Sequence, residues 1–285
     1  MPNFGVSTIC FGPDADACEV LDFAVQHGFQ GYELSSYHFW PERLRPDEVE
    51  RIRSVVRQNG MRLAIHARHR GISFGAHDPA LRQRFVEELQ ATVRFAAELG
   101  GDVVVAHVGE IVPPDGSPFT SEAGLRRQAF EYALDSFARC APVAADRGVR
   151  ICVENVQLRP NEVLTSFADH LRLVDSIGQP SVVCALDTGH ANVNGGIQPC
   201  IKAFGPRLQH IHLHDNRGEK DEHLEVGKGT IRFAEFSGFL QEFADLISLE
   251  TRSPIDPHGA VLRSRDDIER LWRPGTPSGS EQARP

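Results

Sequence analysis

The sequence predicts an α/β chain folded as one closed barrel of eight β-then-α units, a single (β/α)8 barrel. Three observations predict it. Eight short apolar runs recur, at residues 5–11, 31–35, 63–67, 103–108, 150–156, 181–187, 208–214 and 246–250. Several are almost continuous in Val, Ile and Leu, which is how parallel strands buried on both faces read. Each is followed by a longer amphipathic stretch, and 285 residues suit one large α/β domain with no internal linker.

The elements follow in order. The run at 5–11 leads to a helix over 15–27 with Val20, Leu21, Phe23, Ala24 and Val25 on its apolar face. The run at 31–35 leads to a helix over 47–59 carrying Val49, Ile52, Val55 and Val56. Between them Tyr37-His38-Phe39-Trp40 reads either as an apolar lid over a substrate or as a cap on the barrel. The third run leads to a helix over 79–99 with Phe85, Leu89, Val93, Ala96 and Ala97, and the fourth to a long apolar–charged alternation over 122–146. The last four are followed by helices over 162–177, 197–204, 233–243 and 266–272. Gly28, Gly60, Gly100 and Gly148 fall where helices should stop. The barrel is expected over 1–272, with 273–285, rich in Pro, Gly and Ser, as a disordered tail. A doubly wound open sheet is the competing architecture, but no G-x-G-x-x-G follows the first strand, which counts against a dinucleotide-binding version.

Composition is that of a soluble globular chain, 41% hydrophobic and 24% charged. No apolar run approaches the roughly 20 residues needed to span a bilayer, so no membrane partner is expected. Met1-Pro2-Asn3-Phe4-Gly5 has no basic leader region. Cys10, Cys152 and Cys184 lie inside apolar runs and no C-x-x-C occurs, as for buried thiols in a reducing compartment; a cytoplasmic location is the expectation. A net charge of −9 argues against general nucleic-acid binding, short of a local basic groove.

In such a barrel, chemistry sits at the C-terminal ends of the strands. The third strand delivers His66 there and the fourth His107. The fifth gives Glu154, the sixth Asp187 and His190, and the seventh His212, His214 and Asp215. Asp221 and His223 follow in the next loop, and the eighth strand gives Glu250. A lone histidine at a strand end is an ordinary structural residue. This many imidazoles and carboxylates at one rim are costly to desolvate without a partner, and a divalent cation, Mn²⁺, Mg²⁺, Co²⁺ or Zn²⁺, is the simplest one. Glu154 and Glu250 come from strands lying across the barrel mouth. A substrate held between them on a metal would meet a base on each face, the arrangement for epimerisation or aldose–ketose isomerisation.

At Val153-Glu154-Asn155, Leu186-Asp187-Thr188-Gly189-His190, His212-Leu213-His214-Asp215-Asn216, the segment 221–229 and Leu249-Glu250-Thr251, the chain resembles the xylose-isomerase-like TIM-barrel superfamily. That group holds sugar and sugar-phosphate isomerases and epimerases together with family 2 AP endonucleases, and its members are often dimers or tetramers, which implies a homo-oligomer. The resemblance to its ketose 3-epimerases implies one ion on Glu154, Asp187, His212 and Glu250. It also implies substrate contacts from His190 and Arg217, with the two glutamates as acid and base. The resemblance to its endonucleases implies a cluster of up to three zinc ions on His66, His107, Glu154, Asp187, His190, His212, Asp221, His223 and Glu250. His66 is also a candidate substrate contact. The endonuclease pattern has Cys where this chain has Gly189, Asn where it has His214, and a longer connection to Asp221. No apolar wedge follows His66, where the chain reads Ala67-Arg68-His69-Arg70; the two arginines are either phosphate ligands or solvated surface groups.

The expected activity is therefore metal-dependent isomerisation or epimerisation of a sugar or sugar phosphate, the small-molecule partner. A multinuclear zinc phosphoesterase like the AP endonucleases is the alternative. Lyase or dehydratase chemistry on a keto-sugar, and a barrel that only binds sugar, are the remaining readings.

Overall fold

The computed structural model describes residues 2–40, 43–113 and 123–272. Its strands are β1 (Asn3–Ser7), β2 (Gly31–Ser35), β3 (Arg62–His66), β4 (Val103–Ala106), β5 (Arg150–Glu154), β6 (Val182–Asp187), β7 (Leu208–Leu213) and β8 (Leu246–Leu249). Each pairs in parallel with the next and β8 returns to β1, closing the barrel. The helices are α1 (Ala17–Gln26), α2 (Ser36–Phe39), α3 (Pro46–Gln58), α4 (Pro79–Leu99), α5 (Ala123–Arg147), α6 (Phe167–Ile177), α7 (Thr188–Val193), α8 (Ile197–Phe204), α9 (Ser237–Glu242) and α10 (Pro257–Arg270).

The period of two along each strand sorts the side chains into two cores. Ile65, Val104, Ile151, Val153, Leu186, Ile211 and Ile247 face the helices and join one large apolar cluster with them. Ala64, Val103, Val105, Cys152, Val183, Ala185 and Leu246 form a separate cluster inside the ring. Those inner residues are small or branched, so the ring closes tightly. At Gly31 a Cβ would lie 2.2 Å from Leu246 Cδ1. One further step of two along β3, β5 and β6 replaces Ala64, Cys152 and Ala185 by His66, Glu154 and Asp187. The fold thus turns a strand alternation into a polar rim above an apolar plug.

Four departures from the sequence-based expectation have local causes. The first strand ends at Ser7 rather than continuing to residue 11, because Thr8–Phe11 coils into a 3-10 turn over the barrel end. There Thr8 Oγ1 accepts from Ser35 N, and the Cys10 thiol donates to Leu249 O. The helix expected from 162 starts at Phe167, where Ser166 accepts from Asp169 N. The helix expected over 233–243 splits into a 3-10 turn at Phe233–Glu235 and α9. The last helix begins at Pro257 rather than 266, on an Asp256 cap that accepts from Gly259 N. The glycines at 28, 60, 100 and 148 do end helices, with φ of 70°, 60°, 86° and 65°.

Of the 37–40 segment, Phe39 packs on Phe95, and His38 donates through Nε2 to Gly12 O, so these residues cap the barrel wall. Tyr37 alone of that segment turns toward the mouth, its hydroxyl 3.4 Å from His69 Nε2. All six cysteines are free and buried. Among the described residues no helix is long and apolar enough to cross a membrane. The proposed tail, 273–285, lies outside the described residues.

Candidate metal centre

The rim of the barrel floors a cleft of about 560 Å3, lined by His66, His107, Glu154, His190, Asp221, His223 and Glu250 among others. Glu154 is its hub. Oε2 faces His107 Nε2 at 2.9 Å and His66 Nε2 at 3.2 Å, while Oε1 faces His190 Nδ1 at 3.3 Å and His212 Nδ1 at 3.4 Å. Glu250 approaches His212 Nδ1 and His223 Nδ1, each at 3.8 Å. Asp187 takes His214 Nε2 at 2.9 Å, and Asp221 takes His223 Nε2 at 2.9 Å and His190 Nε2 at 3.3 Å.

Donor atoms from these residues converge in overlapping groups, each within 4.8 Å: Glu154–Asp187–His212, His66–His107–Glu154, Asp187–His190–Asp221 and His214–Asp221–His223. Of the metal-ligand positions expected from the sequence, all but Glu250 belong to these groups; Glu250 stands outside them, 3.8 Å from His212 Nδ1 and His223 Nδ1. Arg217 is not at the site: its guanidinium pairs with Glu222 at 2.6 Å and it does not line the cleft.

The imidazoles are aimed by what they touch behind them. His66, His190 and His223 each spend Nδ1–H on a backbone carbonyl, of Ala67, Asn155 and Glu250, at 2.8, 2.9 and 2.8 Å. A carbonyl only accepts, so the hydrogen sits on Nδ1 and each Nε2 turns a lone pair toward a carboxylate. A lone pair facing a carboxylate repels it unless a proton or a cation lies between them. His212 is held the other way round. Its Nε2 lies 3.1 Å from Glu33 Oε2, which also takes His210 Nε2 at 2.8 Å, so Nδ1 faces the cleft. Such backing by acceptors is how proteins orient metal-bound imidazoles. His212 Nδ1, Asp221 Oδ1 and Glu250 Oε1 are buried without a hydrogen-bond partner. Oxygen and imidazole donors with three such orphaned atoms fit a divalent ion.

Several of these positions escaped the sequence reading. Glu33 and His210 lie beneath the rim, fully buried inside the ring; a glutamate in the middle of an apolar strand was the available signal. His214 was seen at a strand end but given no role. Its ring stacks on His223 with centroids 4.0 Å apart, and it fits only because residue 189 is glycine: a Cβ there would lie 2.0 Å from His214 Cε1. Asp215 is structural. Its carboxylate accepts the amides of Asn216, Gly227, Gly229 and Ile231, shaping the loop that presents Asp221 and His223. His223 itself holds φ of 54°, a left-handed conformation few side chains adopt. Asn155 exchanges hydrogen bonds with the Asp187 backbone and ties β5 to β6 at the rim.

Charge and burial oppose each other here. Burial alone would push the His214 ring down, but Asp187 and Asp221 lift it to about 9. Burial would likewise raise Glu154, yet His107 and His212 hold it well below the ordinary carboxylate range. A histidine whose folded pKa exceeds its unfolded value of 6.5 stabilises the fold fully below pH 6.5, and that contribution is lost as pH rises through about 9. The melting temperature of chelator-treated protein is therefore expected to fall between these pH values. Metal-loaded protein, in which the ion replaces those protons, should hold its Tm across the same window. Parallel thermal-melt series would check both.

Known proteins are similar to this chain in sequence and in fold. The D-psicose 3-epimerase of Agrobacterium fabrum is 25% identical over 269 residues, covering 92% of this chain and 84% of the relative. A probable endonuclease 4 of Mycobacterium leprae is 26% identical over 185 residues, 62% of this chain and 68% of the relative. The crystal structure of a D-tagatose 3-epimerase-like protein shares the fold at a TM-score of 0.80 and 22% identity, over 95% of this chain and 97% of that one. The profile described as xylose isomerase-like TIM barrel matches residues 21–271, and the chain belongs to that family.

Proposed function

We propose that this protein is a metal-dependent isomerase or epimerase of a sugar or sugar phosphate. The observation that carries the reading is the pair of buried carboxylates, Glu154 and Glu250, approaching one ring nitrogen of His212 at 3.4 and 3.8 Å on the floor of a cleft. Glu154, Asp187, His212 and Glu250 would hold the ion, which when bound polarises a substrate carbonyl and acidifies the adjacent C–H. Glu250 Oε1, buried and without a partner, is placed to accept that proton. In this reading Glu154 would be the second carboxylate of the pair, passing on a proton relayed from the imidazoles that face it. The test is a ketose and ketose-phosphate panel in D2O followed by NMR. Deuterium should enter at the carbon next to the carbonyl. A panel with no exchange, from protein that nicks abasic duplex DNA, would reject the reading.

A second reading has its own observation. His66–His107–Glu154 and His214–Asp221–His223 flank the central group and offer places for further ions, the usual equipment of phosphodiester hydrolysis. Elemental analysis separates the two: about one ion per chain favours the isomerase, two or three zinc ions the hydrolase. His223→Ala should be mild, within about tenfold in kcat, if one ion suffices. A complete loss of turnover with that variant favours the cluster.

A further inference from the structure

We infer that the substrate carries an oxyanion, a phosphate or a carboxylate, bound at the edge of the cleft by Arg70 and Arg252 with Lys220. This rests on the isomerase reading for the rest of the substrate and names the chemistry of its far end.

Arg252 lies two residues beyond Glu250, and its amide is anchored on His223 O at 2.7 Å. Lys220 directly precedes Asp221. Arg70 follows His69, and its guanidinium carbon sits 5.7 Å from the centroid of the Tyr37 ring, a cation–π contact that steers the side chain. All three line the cleft. Arg70 and Arg252 also line an adjoining cavity of about 410 Å3 whose other walls include Phe11, Pro13 and Pro254. Arg70 and Arg252 are therefore shared between the donor-rich chamber and a second one of mixed polar and apolar walls.

Several arginines elsewhere on the barrel are paired with carboxylates. Arg62, Arg68, Arg150 and Arg263 each have an acidic partner at 2.7–2.8 Å. Arg68, one of the two arginines weighed as phosphate ligands, is thus occupied by Glu88. Arg159 in the cleft wall faces Glu110 at 3.7 Å. Among the described residues, Arg70, Arg252 and Lys220 face no carboxylate. Like charges at one rim repel, and the chain as a whole is acidic at −9, so general basicity does not explain them. The carboxylates on the floor are already faced by imidazoles. A planar guanidinium fork matches an oxyanion, and a bound one would relieve the rim repulsion.

Two measurements on the full-length chain test this. Calorimetric titration of the metal-free protein with inorganic phosphate avoids direct anion binding to the ion. Phosphate should bind, and Arg252→Gln or Arg70→Gln should weaken it at least about tenfold, as for loss of a charge-assisted contact. Failure to bind, or equal binding by the variants, overturns the inference, as does displacement of phosphate by duplex DNA but by no small molecule. Displacement by a ketose phosphate and not by a sugar acid assigns the phosphate; the converse assigns the carboxylate. In the metal-loaded enzyme, the preference in kcat/KM for a ketose phosphate or sugar acid over the free ketose should fall at least about tenfold in either variant. An unchanged preference overturns the inference and leaves the isomerase reading standing. Phosphate binding that depends on the arginines, with no exchange of any ketose, retains the oxyanion site and rejects the isomerase.

Discussion

Glu154→Gln and Glu250→Gln will each abolish measurable turnover, with kcat falling at least about 1000-fold. A glutamine keeps the shape of the side chain but offers one oxygen in place of two and neither ligates as an anion nor accepts a proton. At Glu154 the damage is compounded. Its two oxygens face His66, His107, His190 and His212, and an amide NH2 in place of either leaves two rings opposite a donor. The same carboxylate belongs to two of the donor groups, so Glu154→Gln should also lose metal on dialysis. Glu250 makes longer approaches, and its glutamine variant should retain more metal while turning over no faster. Steady-state rates with elemental analysis of dialysed protein test both halves. A Glu250→Gln enzyme within tenfold of the parent would remove the second carboxylate from the chemistry.

Gly189→Ala is expected to destabilise the site from a residue with no chemistry of its own. The added methyl would sit 2.0 Å from His214 Cε1 and 2.7 Å from Nδ1. The ring has little room to retreat, being held by Asp187 at 2.9 Å on one edge and stacked on His223 across its face. Either the ring leaves the His214–Asp221–His223 group or α7 shifts away from β7. The expected cost is on the order of 1–3 kcal/mol of stability, the range for overpacking a tight interior, with loss of any ion held by that group. A smaller partner should undo the steric part: Gly189→Ala with His214→Asn should melt closer to the parent than Gly189→Ala alone. Thermal melts of the three proteins decide it, and a single Gly189→Ala variant as stable as the parent would refute the packing argument.

The barrel was readable because its strands are buried on both faces and its helices on one, so the two periods separate cleanly along the chain. The first strand was placed too late because an apolar turn and an apolar strand have the same composition. The start of the last helix was missed although Asp256-Pro257 is a strong start signal, because the segment 257–265 offers only one short apolar run, Ala260-Val261-Leu262. The donors at the rim were readable for a mechanical reason: strand ends converge in a closed ring whatever the loops do. Glu33 and His210 were not, since nothing in a period of two says which face of a strand looks inward. The cations were not either. Arg217 was expected at the substrate, but the loop folded around Asp215 pairs it with Glu222 instead, while Lys220 lines the cleft. Loop shape is set by such capping bonds, which no local pattern announces.

The donors differ in how they are mounted. Glu154, Asp187 and His212 stand on strands, and His212 is braced from below by Glu33. Asp221 and His223 hang from one loop gathered on a single aspartate. The strand-mounted donors belong to the frame and the others to a detachable fitting. Rewriting that one segment would strip or re-equip the outer positions without disturbing the cradle beneath, so descendants of such a barrel can change trade at small structural risk.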